Sequence, residues 1–169
     1  MTMRNNLLGR HIDVSTVKAG DDETIEQIAD LTEIFADESL IYSELGFNRD
    51  KFIDYISQFT EEGAALVVAK VDNEVVGYSP VYVDLMYIDK PNLEIVSIYV
   101  PPQYRNSGVG SCLADYLVQL IELNNPAYTQ VSVCAFFKED RELIQRATER
   151  LFTKRGFEQI GTILGRKGT

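Results

Sequence analysis

The sequence predicts a mixed α+β fold in which a mostly antiparallel sheet is flanked by about four helices. Two apolar runs, residues 64–71 and 75–78, are separated by the short polar sequence Asp-Asn-Glu, which is typical of a β-hairpin. A third apolar run, residues 93–100, is followed by two prolines, which remove ladder donors and end a strand. Apolar residues then recur at helical spacing over residues 109–123.

Two amphipathic helices are predicted in the first 63 residues. Asp21 precedes a periodic apolar run from Ile25 to Phe35, and Asn48 precedes a second run from Phe52 to Phe59. Gly46, between these runs, is expected to cap a helix end. The sheet is expected to begin only after both helices.

After the hairpin, the predicted order is strand, helix, strand, helix, strand, starting with the strand at 93–100. The second hairpin strand is expected to continue to about Met86, with Pro80 marking a bulge or an edge. After the helix at 109–123 come a strand at 129–136, a last helix at about 140–155 and a closing strand at 157–164.

Length and composition predict one domain spanning residues 1–169. The chain has 169 residues, of which 45% are hydrophobic, enough to bury a core. It contains no run of about 18 apolar residues and no signal-peptide pattern at its start, so a cytoplasmic protein is expected. Cys112 and Cys134 are interpreted as small buried hydrophobes, and with His11 as the one histidine no metal site is expected.

The negative charge is concentrated in the first third of the chain. Residues 1–62 contain 14 acidic and 5 basic side chains, which gives −9 of the formal net charge of −10. Such a field disfavours nucleic acid and membrane surfaces as partners and favours cationic ones. Solubilisation of two surface helices is the alternative explanation, and both stay open.

The segment from residue 100 to residue 111 predicts an anion-binding loop between a strand and a helix. The helix is expected to start near Val109, where its first amides lack intrahelical acceptors and carry the positive end of the helix dipole. Gly108 and Gly110 allow close approach of the backbone, and Arg105 can add a bidentate charge. The expected ligand is a diphosphate.

Three loop families and one simpler alternative compete for this segment. A P-loop requires Lys after the second glycine, where this chain has Ser111, and a Rossmann loop requires glycine where it has Leu113. The third pattern, Arg-x-x-Gly-x-Gly after Val-x-Pro, resembles the coenzyme A loop of the GNAT superfamily of acyl-CoA-dependent N-acyltransferases. An ordinary strand-to-helix turn remains the simpler alternative.

A second segment strengthens the resemblance. Residues 145–158 are similar to the last helix and following strand of the same superfamily, which usually spell Asn-x-x-Ala-x-x-x-Tyr-x-x-x-Gly-Phe. Here the helix carries basic residues in its last turn and Gly156 as its C-cap. The resemblance covers about residues 64 to 167 and implies an acyl-CoA-binding core there, with residues 1–63 as acceptor-side helices.

The resemblance implies a sheet of six to seven strands, splayed between strands 4 and 5 to admit the pantetheine arm of acetyl-CoA as cosubstrate. The pantetheine is expected to pair with the backbone of Ile98, Tyr99 and Val100. The diphosphate is expected to bind the loop and the first helical turn: Arg105, Asn106, Ser107, Gly108, Val109, Gly110 and Ser111.

Two positions are implied as catalytic. Glu94 is the candidate base, and strand alternation places it on the same face as Val96, Ile98 and Val100; an exposed glutamate at the strand start is the alternative. Phe152 occupies the position where the superfamily usually has a tyrosine that protonates the leaving thiolate, and phenylalanine cannot donate a proton. Water or another group is then required, with Tyr99, Tyr104 and Tyr128 as distant candidates.

Tyrosines and basic residues outside these motifs have two interpretations each. Four tyrosines can surround a cationic acceptor or simply pack in the core and rim: Tyr55, Tyr78, Tyr82 and Tyr87. Tyr42 and Phe47 lie in a loop that often borders the acceptor pocket in the superfamily. Three basic residues on the last helix indicate a solvated face or a contact to adenosine phosphates: Arg146, Arg150 and Lys154.

The expected function is transfer of an acetyl group from acetyl-CoA to a primary, cationic amine of a small molecule or protein. Direct attack within a ternary complex is the expected mechanism. A domain that binds acyl-CoA or a basic protein surface without efficient transfer is the alternative, since Phe152 removes the usual acid. A monomer and a homodimer both fit the sequence.

Overall fold

A central sheet organises the structure, a computed structural model that describes residues 3–7, 9–39, 42–59, 64–84, 92–124, 126, 128–131 and 137–159. The strands in these residues are β1 (Met3–Leu7), β2 (Arg10–Thr16), β3 (Ala64–Val71), β4 (Glu74–Asp84), β5 (Asn92–Ile95) and β6 (Tyr128–Val131). The helices are α1 (Asp22–Glu38), α2 (Tyr42–Leu45), α3 (Arg49–Phe59), α4 (Val109–Asn124) and α5 (Arg141–Thr153), with a 3₁₀ turn at Pro102–Tyr104.

The described strands form one six-stranded sheet whose spatial order follows the chain, β1 to β6. All neighbouring pairs are antiparallel except β5 and β6, which are parallel. A parallel pair needs a crossover connection, and α4 lies in that connection. The predicted α+β class and mostly antiparallel sheet are confirmed.

The β3–β4 hairpin has the predicted turn. Asp72 and Asn73 have φ of +51° and +69°, as the two central residues of a type I′ turn require. Along β3 the side chains alternate between two apolar cores, one under α4 and one under α1 and α3. Val67 and Ala69 face the first core, and Leu66 and Val68 face the second. Both faces of the sheet are therefore covered by helices.

The helix starts in the first third are also confirmed. Asp21 caps α1, because its Oδ1 accepts a hydrogen bond from the Thr24 amide at 3.2 Å. Asn48 caps α3 in the same way, with its Oδ1 accepting from the Lys51 amide at 2.9 Å. Gly46 follows α2 with φ of +80°, and its amide bonds the carbonyl of Tyr42 at 2.9 Å.

The expectation that the sheet begins after these helices is wrong. The strands β1 and β2 precede α1, and β2 pairs antiparallel with β3, with Val14 opposite Ala69. In β2, Ile12 and Val14 are buried in the core under α4, whereas the intervening Asp13 is exposed. This period-two pattern is the signal that the sequence contained for the strand.

The prediction for Pro80 is also corrected. Pro80 stands in regular register opposite Leu66, and the irregularity between β3 and β4 lies instead next to the Ala69–Gly77 pair. A separate irregularity lies across from Pro80, in the segment that follows β5. The proline therefore faces a bulge in its neighbour.

The two later helices are confirmed. The helices α4 and α5 lie within two residues of the predicted bounds, which is the usual uncertainty of a helix end because the last turn frays. The predicted strand at 93–100 ends earlier, at Ile95. Residues 132–136 of the next predicted strand and residues 160–164 of the closing strand lie outside the described residues, and residues 157–159, at the start of the predicted closing strand, are not in a strand. Among the described helices, none has the length and apolar content that crossing a membrane requires.

Candidate functional site

The loop before α4 presents a row of backbone amides for which the described residues provide no backbone acceptor. The Tyr104 and Arg105 amides bond to the carbonyls of Pro101 and Pro102, which closes the 3₁₀ turn. The next amide with a backbone acceptor in the described part of the chain is that of Cys112, which bonds Gly108 O at 3.0 Å. The six amides of residues 106–111 lie between them, at the positive end of the helix dipole.

Backbone geometry at this loop agrees with an anion site. Asn106 and Gly108 have φ of +61° and +94°, so the chain turns sharply just before the helix. A Cβ added at Gly110 would lie 3.9 Å from Leu151 Cδ2 and 4.0 Å from Val100 Cγ2, which are ordinary contacts. The packing of the protein therefore does not require glycine at 110, and the open side of the loop is available to a ligand.

The sheet holds the start of α4 in place through a close approach that the sequence did not reveal. A Cβ at Gly77 in β4 would lie 3.0 Å from both Tyr99 O and Val109 Cγ1. Val109 and Leu113 are fully buried against this glycine. Gly77 thus lets the first turn of α4 lie directly on the sheet.

Arg105, expected at the diphosphate, is held by a carboxylate from α1. Its Nη2 donates to both carboxylate oxygens of Glu38 at 2.9 Å, and its Nε donates to the carbonyl of Val100 at 3.0 Å. The side chains are 29% and 24% exposed, so this pair is only partly screened by water. Among the described residues no acceptor lies at Nη1, which leaves two N–H groups for a ligand.

A bulge in the segment after β5 changes which side chains share a face. Val81 pairs with Ile95, but Tyr78 pairs with Tyr99, so the second segment contains one residue more than β4 between these pairs. A bulge of one residue moves every later side chain to the opposite face. Ser79 stabilises the bulge, because its buried hydroxyl donates to Ser97 O at 2.7 Å.

The predicted face of Glu94 is therefore partly wrong. Ile98 and Val100 pack in the core under α4, whereas Tyr99 packs in the core under α1 and α3. Glu94 stands directly opposite Tyr82 in β4 and shares the face of Tyr99. The backbone of Tyr99 is also used within the sheet, since its amide and carbonyl bond those of Tyr78 at 2.9 and 3.0 Å. The amides and carbonyls of the adjacent residues, Ile98 and Val100, point away from β4.

Glu94 lies beside a pair of phenols on the face of α1 and α3. Tyr82 and Tyr55 share a hydrogen bond between their hydroxyls, and Tyr55 is 52% exposed. Burial, then this hydrogen bond and the nearby charge of Glu94, raise the pKa of Tyr82 above its usual range. Tyr55 is thus accessible to solvent, Tyr82 is half-buried, and Tyr82 stays protonated at neutral pH.

Phe152 contributes only packing. It is 3% exposed in the core under α4, and its ring meets that of Phe157 edge to face at 5.3 Å. The hydroxyls of Tyr99 and Tyr104 already donate to Glu38 and Glu74 at 2.7 and 2.9 Å. Neither phenol has a proton ready for a leaving group, and the side chain of Tyr128 lies outside the described residues.

The basic residues of α5 and of the turn after it differ in role: Arg146 is solvated, whereas Arg155 is structural. Arg146 pairs with Glu142 at 3.5 Å with both side chains mostly exposed, as a solvated face predicts. Arg155 instead donates to Asp115 in α4 at 2.7 Å and to the carbonyls of Leu151 and Ser111. It therefore ties the end of α5 to the first turns of α4.

No group of three or more histidine, cysteine, aspartate or glutamate side chains that could hold a metal ion is found in the described residues. Cys112 is fully buried in α4, as predicted, and Cys134 lies outside the described residues.

Comparison with known proteins gives one family and one fold. The model of the acetyltransferase (GNAT) family matches residues 28–157 of the chain. No curated protein sequence matches it. The structure is similar to the aminoglycoside N-acetyltransferase AAC(6')-Iy in complex with CoA, with a TM-score of 0.70 and 16% identity over 96% of this chain and 97% of that one.

Two further structures share the fold. An aminoglycoside acetyltransferase, meta-AAC0020, from an uncultured soil metagenomic sample and in complex with sisomicin, has a TM-score of 0.67 and 17% identity over 94% of this chain and 97% of that one. The ribosomal-protein-alanine N-acetyltransferase from Brucella melitensis biovar Abortus 2308 has a TM-score of 0.66 and 16% identity over 93% and 99%. Identities this low show a shared fold.

Proposed function

Because the chain belongs to the acetyltransferase (GNAT) family, we propose that it transfers an acetyl group from acetyl-CoA to a primary amine. The observation that carries this proposal is the row of amides at residues 106–111, which has no backbone acceptor in the described part of the chain. A linked pair of phosphates matches such a row in charge and in number of acceptors. Acetyl-CoA supplies the acetyl group as an activated thioester.

Two segments of the chain bind different parts of the cosubstrate. The diphosphate binds the loop and first turn of α4, with Nη1 of Arg105 adding a charge while Glu38 holds the rest of the guanidinium. The pantetheine arm pairs with the backbone of Ile98 and with the amide of Val100, because the Tyr99 backbone is bonded to β4 and the Val100 carbonyl already accepts from Nε of Arg105.

Glu94 acts as the base toward the acceptor amine. An alkylamine with a pKa of about 10.4 is almost entirely protonated at pH 7, so its proton must be removed before attack. Glu94 lies on the face that α1 and α3 cover, opposite Tyr82 and half-buried. An acceptor entering beside the exposed Tyr55 would meet this carboxylate on the sheet.

The acceptor is proposed to be cationic. Residues 1–62, which supply α1, α2 and α3 on this face, carry most of the net negative charge. The Tyr55 and Tyr82 rings add a surface that favours an ammonium group. Two of the similar structures are aminoglycoside acetyltransferases and one is a ribosomal-protein-alanine acetyltransferase, so both small amines and protein amines belong in a test.

The leaving thiolate is proposed to take its proton from water. Phe152 has no proton to donate, and the Tyr99 and Tyr104 hydroxyls are bonded to carboxylates. A missing general acid slows its step by about a hundredfold to ten-thousandfold without abolishing it. Release of the CoA thiolate is therefore expected to be slow.

The decisive test follows thiol release from acetyl-CoA in the presence of polyamines, aminoglycosides and peptide amines. Turnover with at least one cationic amine is expected, together with initial rates that require both substrates in one complex. Activity confined to neutral or anionic amines would contradict the electrostatic argument. Absence of turnover with every amine, despite binding of CoA, would contradict the transferase itself.

Phe152 also supports a second candidate function, an acyl-CoA-binding domain without transfer. The Phe152→Tyr variant separates the two. A slow enzyme should release thiol faster once a phenol stands at this position, whereas a binding domain should release none before or after. Phe152→Leu is the matched control, since it changes packing without adding a proton donor.

A further inference from the structure

A cavity of about 280 Å³ lies between the C-terminal half of α4 and the sheet, and we refer to it as the α4 cavity. Of the ten described residues that line it, nine are apolar and the tenth is Asn124. It lies at the other end of α4 from residues 106–111, since Val109 and the lining residue Ile121 are about 18 Å apart along the helix. The cavity is therefore separate from the proposed diphosphate site.

The sheet forms the floor of the α4 cavity. Val81 stands opposite Ala65 in β3 and opposite Ile95 in β5, so the three side chains form one row on the face under α4. Leu93, two residues before Ile95, lies on the same face. Ala65 is the smallest member of this row, and it leaves space that a larger side chain at this position would fill.

The packing of α4 on the sheet loosens toward the C-terminal end of the helix. At its start, Gly77 lets the sheet contact Val109 directly, and Val109 is fully buried. Leu117 is 1% exposed, whereas Leu120 and Ile121 are only partly buried although they pack against the same core. The α4 cavity is therefore closed at Leu117 and opens toward the end of α4.

The open end of the α4 cavity presents hydrogen-bond acceptors and negative charge. The exposed Asn124 donates from Nδ2 to Leu120 O at 2.7 Å, and no described residue donates to its Oδ1. The last carbonyls of a helix lack intrahelical donors and carry the negative end of its dipole. Glu122 is exposed in this turn, which contains no basic residue. A polar group bound here must therefore donate hydrogen bonds, and a negative charge is disfavoured.

We propose that the α4 cavity binds a linear aliphatic chain of up to about ten carbon atoms whose head group donates a hydrogen bond at Asn124. An apolar cavity of about 150 Å³ holds the six carbons of benzene, so about 280 Å³ accommodates about ten. Water is a poor occupant, because it needs two or more polar partners and the lining is apolar. A primary alcohol is the simplest molecule with this chemistry. The proposal goes beyond acetyl transfer and does not depend on it.

Chain length is the first test. Calorimetry measures the Kd of primary alcohols with six, eight, ten and twelve carbons for the full chain. Each added methylene is expected to lower the Kd by about fourfold until the cavity is full at about ten carbons. The twelve-carbon alcohol is expected to bind no more tightly than the ten-carbon one.

Two variants move this limit in opposite directions. Ala65→Ile adds three carbons to the floor, so 1-decanol is expected to bind at least about tenfold more weakly while 1-hexanol is little affected. Leu120→Ala removes three carbons from the helix side, so the twelve-carbon alcohol is expected to bind more tightly than 1-decanol. Leu123→Ala is the matched control, since Leu123 is 82% exposed on the same helix end and does not line the cavity. Thermal unfolding checks that each variant is folded.

The head group is the second test. Decanoate can only accept hydrogen bonds and is negative, so it is expected to bind at least about tenfold more weakly than 1-decanol. Decylamine donates hydrogen bonds and is positive, so it is expected to bind at least as tightly as 1-decanol. The titrations are done in about 0.15 M salt, which screens charges further than about 8 Å away.

Four results would overturn the proposal. If no alcohol binds, or if the Kd does not depend on chain length, the cavity takes no aliphatic chain. If Ala65→Ile and Leu120→Ala both leave the length limit at the wild-type value, the alcohols bind elsewhere. If decanoate binds as tightly as 1-decanol, the head group does not lie at the end of α4. None of these results bears on acetyl transfer, which CoA binding and thiol release test separately.

Discussion

Placing a carboxylate at position 110 is expected to stabilise the helix and to weaken the cosubstrate site. Gly110 is the second residue of α4, where a negative charge interacts favourably with the helix dipole. Its added Cβ makes only ordinary contacts, at 3.9 and 4.0 Å. The Gly110→Glu variant should therefore fold at least as well as the wild type, since glycine also costs about 1 kcal/mol in a helix interior.

The same carboxylate would lie next to the proposed diphosphate. At about 5 Å and an effective dielectric constant of about 20, one pair of like charges repels by about 3 kcal/mol. Salt screening reduces this to about 2 kcal/mol, which corresponds to about a thirtyfold rise in Kd. Gly110→Gln has nearly the same shape without the charge, so the comparison of Glu with Gln isolates the electrostatic part.

Calorimetric titration with CoA and thermal unfolding measure the two effects on the same samples. We expect the Glu variant to bind at least about thirtyfold more weakly than the Gln variant, with a gap that narrows as salt is added. Its Tm should equal or exceed that of the Gln variant. A pair of variants that bind CoA within about threefold of each other would refute the anion site at residues 106–111.

Three other predictions address the base, a helix cap and the packing of α5. Glu94→Gln should lower kcat by about a hundredfold and remove the acidic limb of the pH–rate profile, with little change in the KM for acetyl-CoA; an unchanged profile would exclude Glu94 as base. The hydrogen bonds from Thr24 lower the pKa of Asp21, so its cap stabilises the protein above about pH 4 and is lost as the pH falls further. Asp21→Ala should therefore cost about 1 kcal/mol at pH 7 by denaturant titration, and the difference should shrink towards pH 3. Arg155→Met should lower the free energy of unfolding by about 2 kcal/mol, because it leaves Asp115 and two carbonyls without their donor; a change under about 0.5 kcal/mol would contradict this.

Features that depend on neighbouring residues were predictable from the sequence. The caps at Asp21 and Asn48 form within three residues of the helix start, and the β3–β4 turn depends on two residues with positive φ. The start of α4 follows from two glycines and the apolar spacing after them. The amides of residues 106–111 belong to this local class, because they are exposed by the turn at Gly108 and by the start of α4 at Val109.

The side of the sheet on which each side chain after Glu94 lies was not predictable in this way. Strict alternation places residues five apart on opposite faces, yet Glu94 and Tyr99 share one. The cause is a single extra residue in the segment 96–98, whose presence is defined by pairing with β4 and by the Ser79 hydroxyl. A bulge is a property of two strands, so the sequence of one strand does not contain it.

The strand β2 was missed although a signal was present. Burial alternates along β2, with Ile12 and Val14 buried and the residues between and beside them exposed. Two buried positions are too few for the alternation to predict a strand from the sequence. The strand is fixed by its pairing with β3, whose near-continuous apolar sequence is typical of a strand buried on both faces. Tertiary pairing thus decided an element that local preference left weak.

The contact between Glu38 and Arg105 joins residues 67 positions apart, and no local rule predicts it. One indirect signal existed: α1 ends with acidic residues and no basic one, which is an unfavourable end for a helix unless a cation comes from elsewhere. Arg105 was assigned to the ligand because it stands at the start of the loop. The structure places most of the donors of Arg105 within the protein, so the proposed diphosphate site depends mainly on the amides of residues 106–111.

These contacts also argue against treating residues 1–63 and the following core as separable parts. Ile12 and Val14 of β2 lie in the same buried cluster as Leu113 of α4, so the core under α4 is incomplete without the first third of the chain. Glu38 supplies the carboxylate that orients Arg105 at the start of the loop. Residues 1–63 therefore shape the loop before α4 directly. For a loop that binds CoA as proposed above, a change in α1 is expected to alter CoA affinity even where no residue of α1 touches CoA.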